Sequence, residues 1–134
     1  MFTNDASVLG TVYLIHFDKE FAGRLHYLGW APPYCGESSQ ARADGFKRRI
    51  QKHRDGTGSR LLCNLNRANI DWKVVMIWTK KTVGMEQQMK SWKKSKQLCS
   101  VCSPDSAESQ YGGITIQAVG RTYAKVSLNR GNHE

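Results

Sequence analysis

Apolar and polar positions first organise into two short runs, Val12-Tyr13-Leu14-Ile15 and Tyr27-Leu28-Gly29-Trp30. They are joined by the polar connection Asp18-Lys19-Glu20-Phe21-Ala22-Gly23-Arg24. β-Branched and aromatic side chains pack well on a pleated surface, so both runs predict strands. The connection is short and carries a glycine near its end, which suits an antiparallel pair. Such a pair sets Tyr13 and Tyr27 side by side if the register allows. Pro32, Pro33 and Gly36 end the second strand. Met1 to Leu9 has no periodicity and reads as a poorly ordered leader.

Beyond the prolines the period lengthens. Ser38 or Ser39 is an N-cap for a helix running to about Arg54 and stopped by Asp55-Gly56. Phe46 and Ile50 lie four apart on its core face, with Arg42, Arg49 and His53 beside them, and Gly45 weakens its continuity. Arg60 to Ala68 is a short helix or turn. Trp72-Lys73-Val74-Val75-Met76-Ile77-Trp78 reads as a third strand. Lys80-Lys81-Thr82 turns the chain into a helix over Val83 to Lys94, where Met85, Met89 and Trp92 form the core stripe and Glu86, Lys90 and Lys93 the neighbouring one. Near the end, Ile114–Val119 and Thr122–Leu128 flank Gly120-Arg121 as a hairpin would. The order of elements predicts an α+β fold with a small three-stranded antiparallel sheet flanked by helices. Residues 1–103 make the domain and 104–134 an extension.

Charge changes the picture. The 134 residues carry 20 Lys+Arg against 11 Asp+Glu, a net +9, and the excess is concentrated in residues 42–96. A basic block on an otherwise near-neutral chain points to a polyanion, most often nucleic acid. No apolar run approaches the roughly 20 residues of a membrane helix. The start lacks a basic segment followed by an apolar one, so the expectation is a soluble, cytoplasmic protein. Cys35, Cys63, Cys99 and Cys102 are too few and scattered for a disulfide scaffold.

Three groups could carry chemistry. Arg49 and His53 share one side of a helix, where an arginine fork fits phosphate oxygens and a histidine could orient or protonate a leaving oxygen. On their own, such a pair on a basic helix is usually just a solvated face. Glu86 is the one acidic residue between Asp71 and Asp105, amid Lys80, Lys81, Lys90, Lys93 and Lys94. It either pairs with Lys90 or supplies the carboxylate that a magnesium ion facing a phosphate needs. Cys99 and Cys102 have a zinc-ligand spacing, but a closed site needs two more donors. Cys35, Cys63, His16 and His26 are the candidates and none has a paired spacing, so reduced thiols are the favoured reading and zinc the lesser one.

Val12-Tyr13-Leu14 and Tyr27-Leu28-Gly29 resemble the paired strand motifs of the GIY-YIG nuclease superfamily. His26-Tyr27-Leu28-Gly29-Trp30-Ala31 and Leu98-Cys99-Ser100-Val101-Cys102 resemble its small stand-alone members. The resemblance implies a conserved arginine on the helix after the second motif, matched by Arg49 with Arg48 as the neighbouring alternative, and a histidine one turn later, His53. It also implies a glutamate metal ligand on the helix after the third strand, Glu86. Here the expected chemistry is Mg²⁺- or Mn²⁺-dependent hydrolysis of DNA, with Tyr13 or Tyr27 activating water. Lys52, Arg54, Arg60, Lys80, Lys81, Lys90, Lys93 and Lys94 would hold the DNA backbone. Two departures stand out: Val12 and Leu14 replace the first motif's Gly and Tyr, and Met89 to Cys102 lacks the family's asparagine, with Ser95 or Gln97 as stand-ins. The missing asparagine favours the alternative, an inactive nucleic-acid-binding module of the same fold. A small zinc-stabilised protein organised by Cys99 and Cys102 is a third reading. No heptad or other self-association pattern sets an oligomeric state, and a homodimer stays open.

Overall fold

The computed structural model describes residues 8–36, 38–103 and 113–116. Strand β1 (Gly10–Phe21) pairs antiparallel with β2 (Arg24–Ala31), and both outlast the apolar runs that announce them. The turn is therefore the two residues Ala22 and Gly23, at φ 52° and 76°, not the seven-residue connection expected. Two consecutive positive φ values match the twist of a tight hairpin. Phe21 packs on the core, which is why pairing continues into the polar stretch.

Helix α1 (Ser39–Asp55) is continuous. The Ser38 side chain accepts from the Ala41 N–H, and Gly56 caps the far end in the left-handed region at φ 84°. Gly45 does not interrupt it. A Cβ there would come within 2.0 Å of the Pro32 carbonyl oxygen, so the glycine lets the helix seat against the Pro32-Pro33 segment. Helix α2 (Arg60–Arg67) follows, capped by the Ser59 hydroxyl. Strand β3 (Trp72–Lys81) runs three residues further than the apolar pattern suggests, with Thr82 rather than Lys80 beginning the exit. Helix α3 (Val83–Trp92) stops short of Lys94 because Lys93 turns left-handed at φ 54°. The single turn α4 (Ser95–Leu98) then leads into Cys99.

The sheet has four strands rather than three. Its order is β2-β1-β3-β4, and β4 (Ile114–Thr115) comes from the C-terminal extension. The Ile116 N–H donates to the Val75 carbonyl at 3.0 Å, and Ile116 is buried. The remainder of the expected hairpin and most of the N-terminal leader lie outside the described residues. Among the described residues no helix is long and apolar enough to cross a membrane.

Alternation along the strands divides the core into two layers. Tyr13, Ile15 and Phe17 face Phe46 and Ile50 of α1 and Leu62 and Leu65 of α2. Val12, Leu14, Leu28 and Trp30 face Met89 of α3 and Leu98. A register shift opposite Leu14 and Ile15 lets Val75 and Met76 join the second layer together, where strict alternation would separate them. Met85 and Trp92 complete the expected stripe from partly buried positions.

Gly45→Ala should lower the urea midpoint by an amount equivalent to about 1–3 kcal/mol, the usual cost of forcing atoms into a packed site. Gly84→Ala, whose Cβ would find its nearest neighbour at 3.7 Å, is the control and should cost nothing. Equal midpoints would refute the close approach.

Candidate functional site

β2 is an edge strand, and the cleft lies across that edge. α1 covers one face of the sheet and α3 the other, so beyond β2 the two helices face each other across a gap of about 510 Å³. Tyr27 and Trp30 of β2 form its floor, with Pro32, Pro33 and Tyr34 beside them. α1 contributes Arg48, Arg49 and Lys52, and α3 contributes Glu86 and Lys90. Residues from β2, α1 and α3 thus reach one hollow. Four cations and one carboxylate line it.

Glu86 is 7% exposed, and one of its carboxylate oxygens accepts from Lys90 Nζ at 2.9 Å. The pairing foreseen from i, i+4 spacing and the position facing a basic cleft are therefore both present. Lys90 is itself exposed, so it can swing away at little cost. Arg49 lies deeper than Arg48. Burial alone would lower the pKa of its guanidinium, but the neighbouring Tyr13 and Tyr27 phenols outweigh that and raise it. Its Nε is buried with no hydrogen-bond partner among the described residues. Arg48 instead stacks on the Tyr34 ring, 4.2 Å from its centroid.

Tyr13 and Tyr27 are diagonal neighbours: the register sets Tyr13 opposite Gly29 and Tyr27 opposite Ile15, with ring centroids 6.2 Å apart. Gly29 has a physical reason to be glycine. A Cβ there would sit 2.5 Å from the Tyr13 hydroxyl, so the phenol lies across the space a side chain would fill. Of the two phenols, Tyr27 lines the cleft and Tyr13 is fully buried beneath it. Burial, reinforced by the nearby Tyr27, pushes the Tyr13 pKa well above the ordinary tyrosine value although Arg49 opposes it.

His53 is fully buried and does not reach the cleft. The Ser59 N–H donates to its Nδ1 at 3.1 Å, which leaves Nε2 as the protonated nitrogen of a neutral ring. Nε2–H therefore donates to the Tyr13 oxygen at 2.7 Å. Burial first, then Arg49, lowers the His53 pKa to about 3, so the ring stays neutral. Gly58 lets the loop close on it, since a Cβ there would meet Nδ1 at 2.3 Å. His53 positions Tyr13 rather than touching phosphate or water.

The basic residues divide. Lys52 and Lys90 line the cleft. Arg54 stacks on Trp72, 3.8 Å from the ring centroid, and donates to its carbonyl, so its guanidinium is engaged away from the cleft. Arg60, Lys93 and Lys94 are exposed at helix ends, while Lys80 and Lys81 end β3. Ser95 and Gln97 do not line the cleft, so neither stands where the absent asparagine would act. Cys99 and Cys102 lie against His16 and His26 on the sheet face opposite Tyr13, away from this site. Spacing alone could not pair these histidines, yet they are directly opposite in the hairpin ladder. Tyr34 and Ser59 carried no expected role in the site. The polar Gly56-Thr57-Gly58-Ser59 run just after His53 was the available signal for the last.

Comparison with family models, curated proteins and solved structures finds no match.

A histidine held neutral when folded disfavours the folded state once the unfolded chain protonates, so stability is full above about pH 6.5 and is lost as pH falls toward about 3. The unfolding free energy should drop between pH 6.5 and 4, by up to about 1.4 kcal/mol per pH unit for each such proton. His53→Gln should flatten that slope. An unchanged slope would show that His53 titrates normally.

Proposed function

We propose that the chain is a metal-dependent endonuclease of the GIY-YIG type, hydrolysing DNA phosphodiester bonds at the cleft beside β2. The observation that carries this reading is the meeting of Glu86 from α3 with Tyr27 and Arg49 in one basic hollow. The donor set suits magnesium or manganese: one shielded carboxylate, with open room for waters and a phosphate oxygen. Glu86 would hold the ion, which when bound supplies charge that polarises the scissile phosphate and eases departure of the leaving oxygen.

Arg49, always cationic, would face the non-bridging oxygens and offset the charge that builds at phosphorus. Tyr27, the side chain in contact with the cleft, would orient the attacking water and, as its phenolate, accept the proton to become the phenol. Tyr13 would support Tyr27 and Arg49 from below, held in turn by His53. Lys52 and Arg48 would grip the backbone on either side, a contact that carries little sequence preference.

The Glu86–Lys90 pair and the missing asparagine favour a second reading, a nucleic-acid-binding module of this fold without catalysis. Nucleic-acid binding that persists in EDTA, with no cleavage under any divalent metal, selects it.

Plasmid nicking in Mg²⁺ tests the first reading. Glu86→Ala and Arg49→Ala should each lose roughly 10²–10³-fold in rate, as expected when a transition-state charge contact is removed. Tyr27→Phe should fall further than Tyr13→Phe. Equal cleavage by wild type, Glu86→Ala and Arg49→Ala would overturn the assignment.

A further inference from the structure

His16 on β1 and His26 on β2 are direct partners in the antiparallel ladder, with His16 Nδ1 3.4 Å from His26 Nε2. The chain returns to this spot much later. Cys99 Sγ lies 3.5 Å from His16 Nδ1, and Cys102 Sγ lies 3.8 Å from it and 3.5 Å from His26 Nε2. All four donor atoms fall within 4.8 Å of one another.

These separations carry a chemical signature. Tetrahedral zinc, with bonds of about 2.0–2.1 Å to nitrogen and 2.3 Å to sulfur, has nitrogen–nitrogen edges of about 3.3 Å and nitrogen–sulfur edges of about 3.5 Å. The observed nitrogen–nitrogen distance of 3.4 Å and nitrogen–sulfur distances of 3.5–3.8 Å fit those edges. The thiols are already held in place. The Cys102 N–H points at Cys99 Sγ at 3.5 Å, a contact that supports a sulfur ligand. The Ser100 hydroxyl donates to the Val75 carbonyl, and the Ser103 N–H donates to the Cys99 carbonyl.

We propose that His16, His26, Cys99 and Cys102 form a tetrahedral zinc site that staples the segment after α4 onto the β1–β2 hairpin. Two imidazoles and two thiols select zinc over the hard cations, and four protein ligands leave no open position, so the site is structural. As zinc binds, the two thiols release two protons, and the resulting centre is electrically neutral. Cys99 is buried and the other three ligands are half-buried, an environment such a neutral centre suits. The clamp joins residues distant in sequence: the His26–Cys102 contact spans 76 positions and the His16–Cys99 contact 83. It closes long loops, where a cross-link removes the most chain entropy. None of the four residues lines the cleft, so the site stands independently of the nuclease reading.

The full chain, reduced, stripped with chelator and titrated with Zn²⁺, should take up one tightly held ion. The same chain titrated with Co²⁺ should show thiolate-to-cobalt charge transfer in the near ultraviolet and the strong visible bands of a tetrahedral centre, a readout that depends on no variant folding. Cys99→Ser/Cys102→Ser should lose the charge-transfer band. His16→Ala should weaken zinc by more than the roughly 10–100-fold typical of an outer-shell partner. Glu86→Ala should leave the zinc content unchanged, so this proposal and the nuclease reading fail separately. A wild-type chain that binds cobalt without a charge-transfer band, takes up no zinc after reduction, or keeps its zinc in the double cysteine variant would overturn the proposal.

Discussion

The hydrogen bond between the Tyr13 phenol and His53 ties an inner strand of the sheet to the last turns of α1 inside the first core layer. Both groups are fully buried, so without the Tyr13 oxygen the His53 Nε2–H would be left desolvated and unpaired. Gly29 makes room for the phenol from below, and the Ser59 N–H sets which imidazole nitrogen carries the proton. With α1 anchored there, Arg49 stands one turn earlier, lining the cleft beside both phenols. A displacement of α1 would therefore move the arginine and break a buried bond together.

Termination of the sheet at β2 does the rest. Helices on opposite faces of a sheet are ordinarily kept apart by it, and their side chains meet only past an edge. α1 and α3 meet past the edge formed by β2, which is how Glu86 comes to share a hollow with Arg48, Arg49, Lys52 and Lys90. Gly45 keeps α1 low against Pro32 and Pro33 at the rim. The single carboxylate is shielded while the cations around it are more open, a distribution suited to an anion approaching with its own counter-cation.

The second sheet face carries a different chemistry. His16 and His26 alternate with the residues of the first layer, so the register that turns Tyr13 and Tyr27 toward α1 turns these histidines toward α4 and Cys99. One hairpin thereby presents phenols on one side and imidazoles on the other. Its sequence holds both sets in plain view, separated only by the parity of their positions.

Much of the architecture was legible in the chain alone. Apolar period, proline and glycine stops, and serine caps determined three strands and two helices, with the α2 segment left between a helix and a turn, because these are local preferences of a few neighbouring residues. The candidate site was legible as residue types: tyrosines in paired strands, Arg49 on a basic helix, Glu86 alone among lysines. Only the tertiary structure decided that Tyr27 rather than Tyr13 meets the cleft, that His53 acts from within the core, and that Arg54 is occupied by Trp72. It also placed β4, the start of the expected strand from Ile114, beside β3, and it brought Cys99 and Cys102 to two histidines with no spacing to announce them. Local patterns set what each segment becomes, whereas register, burial and an edge strand set which distant side chains share a volume, and those depend on contacts between residues far apart in sequence.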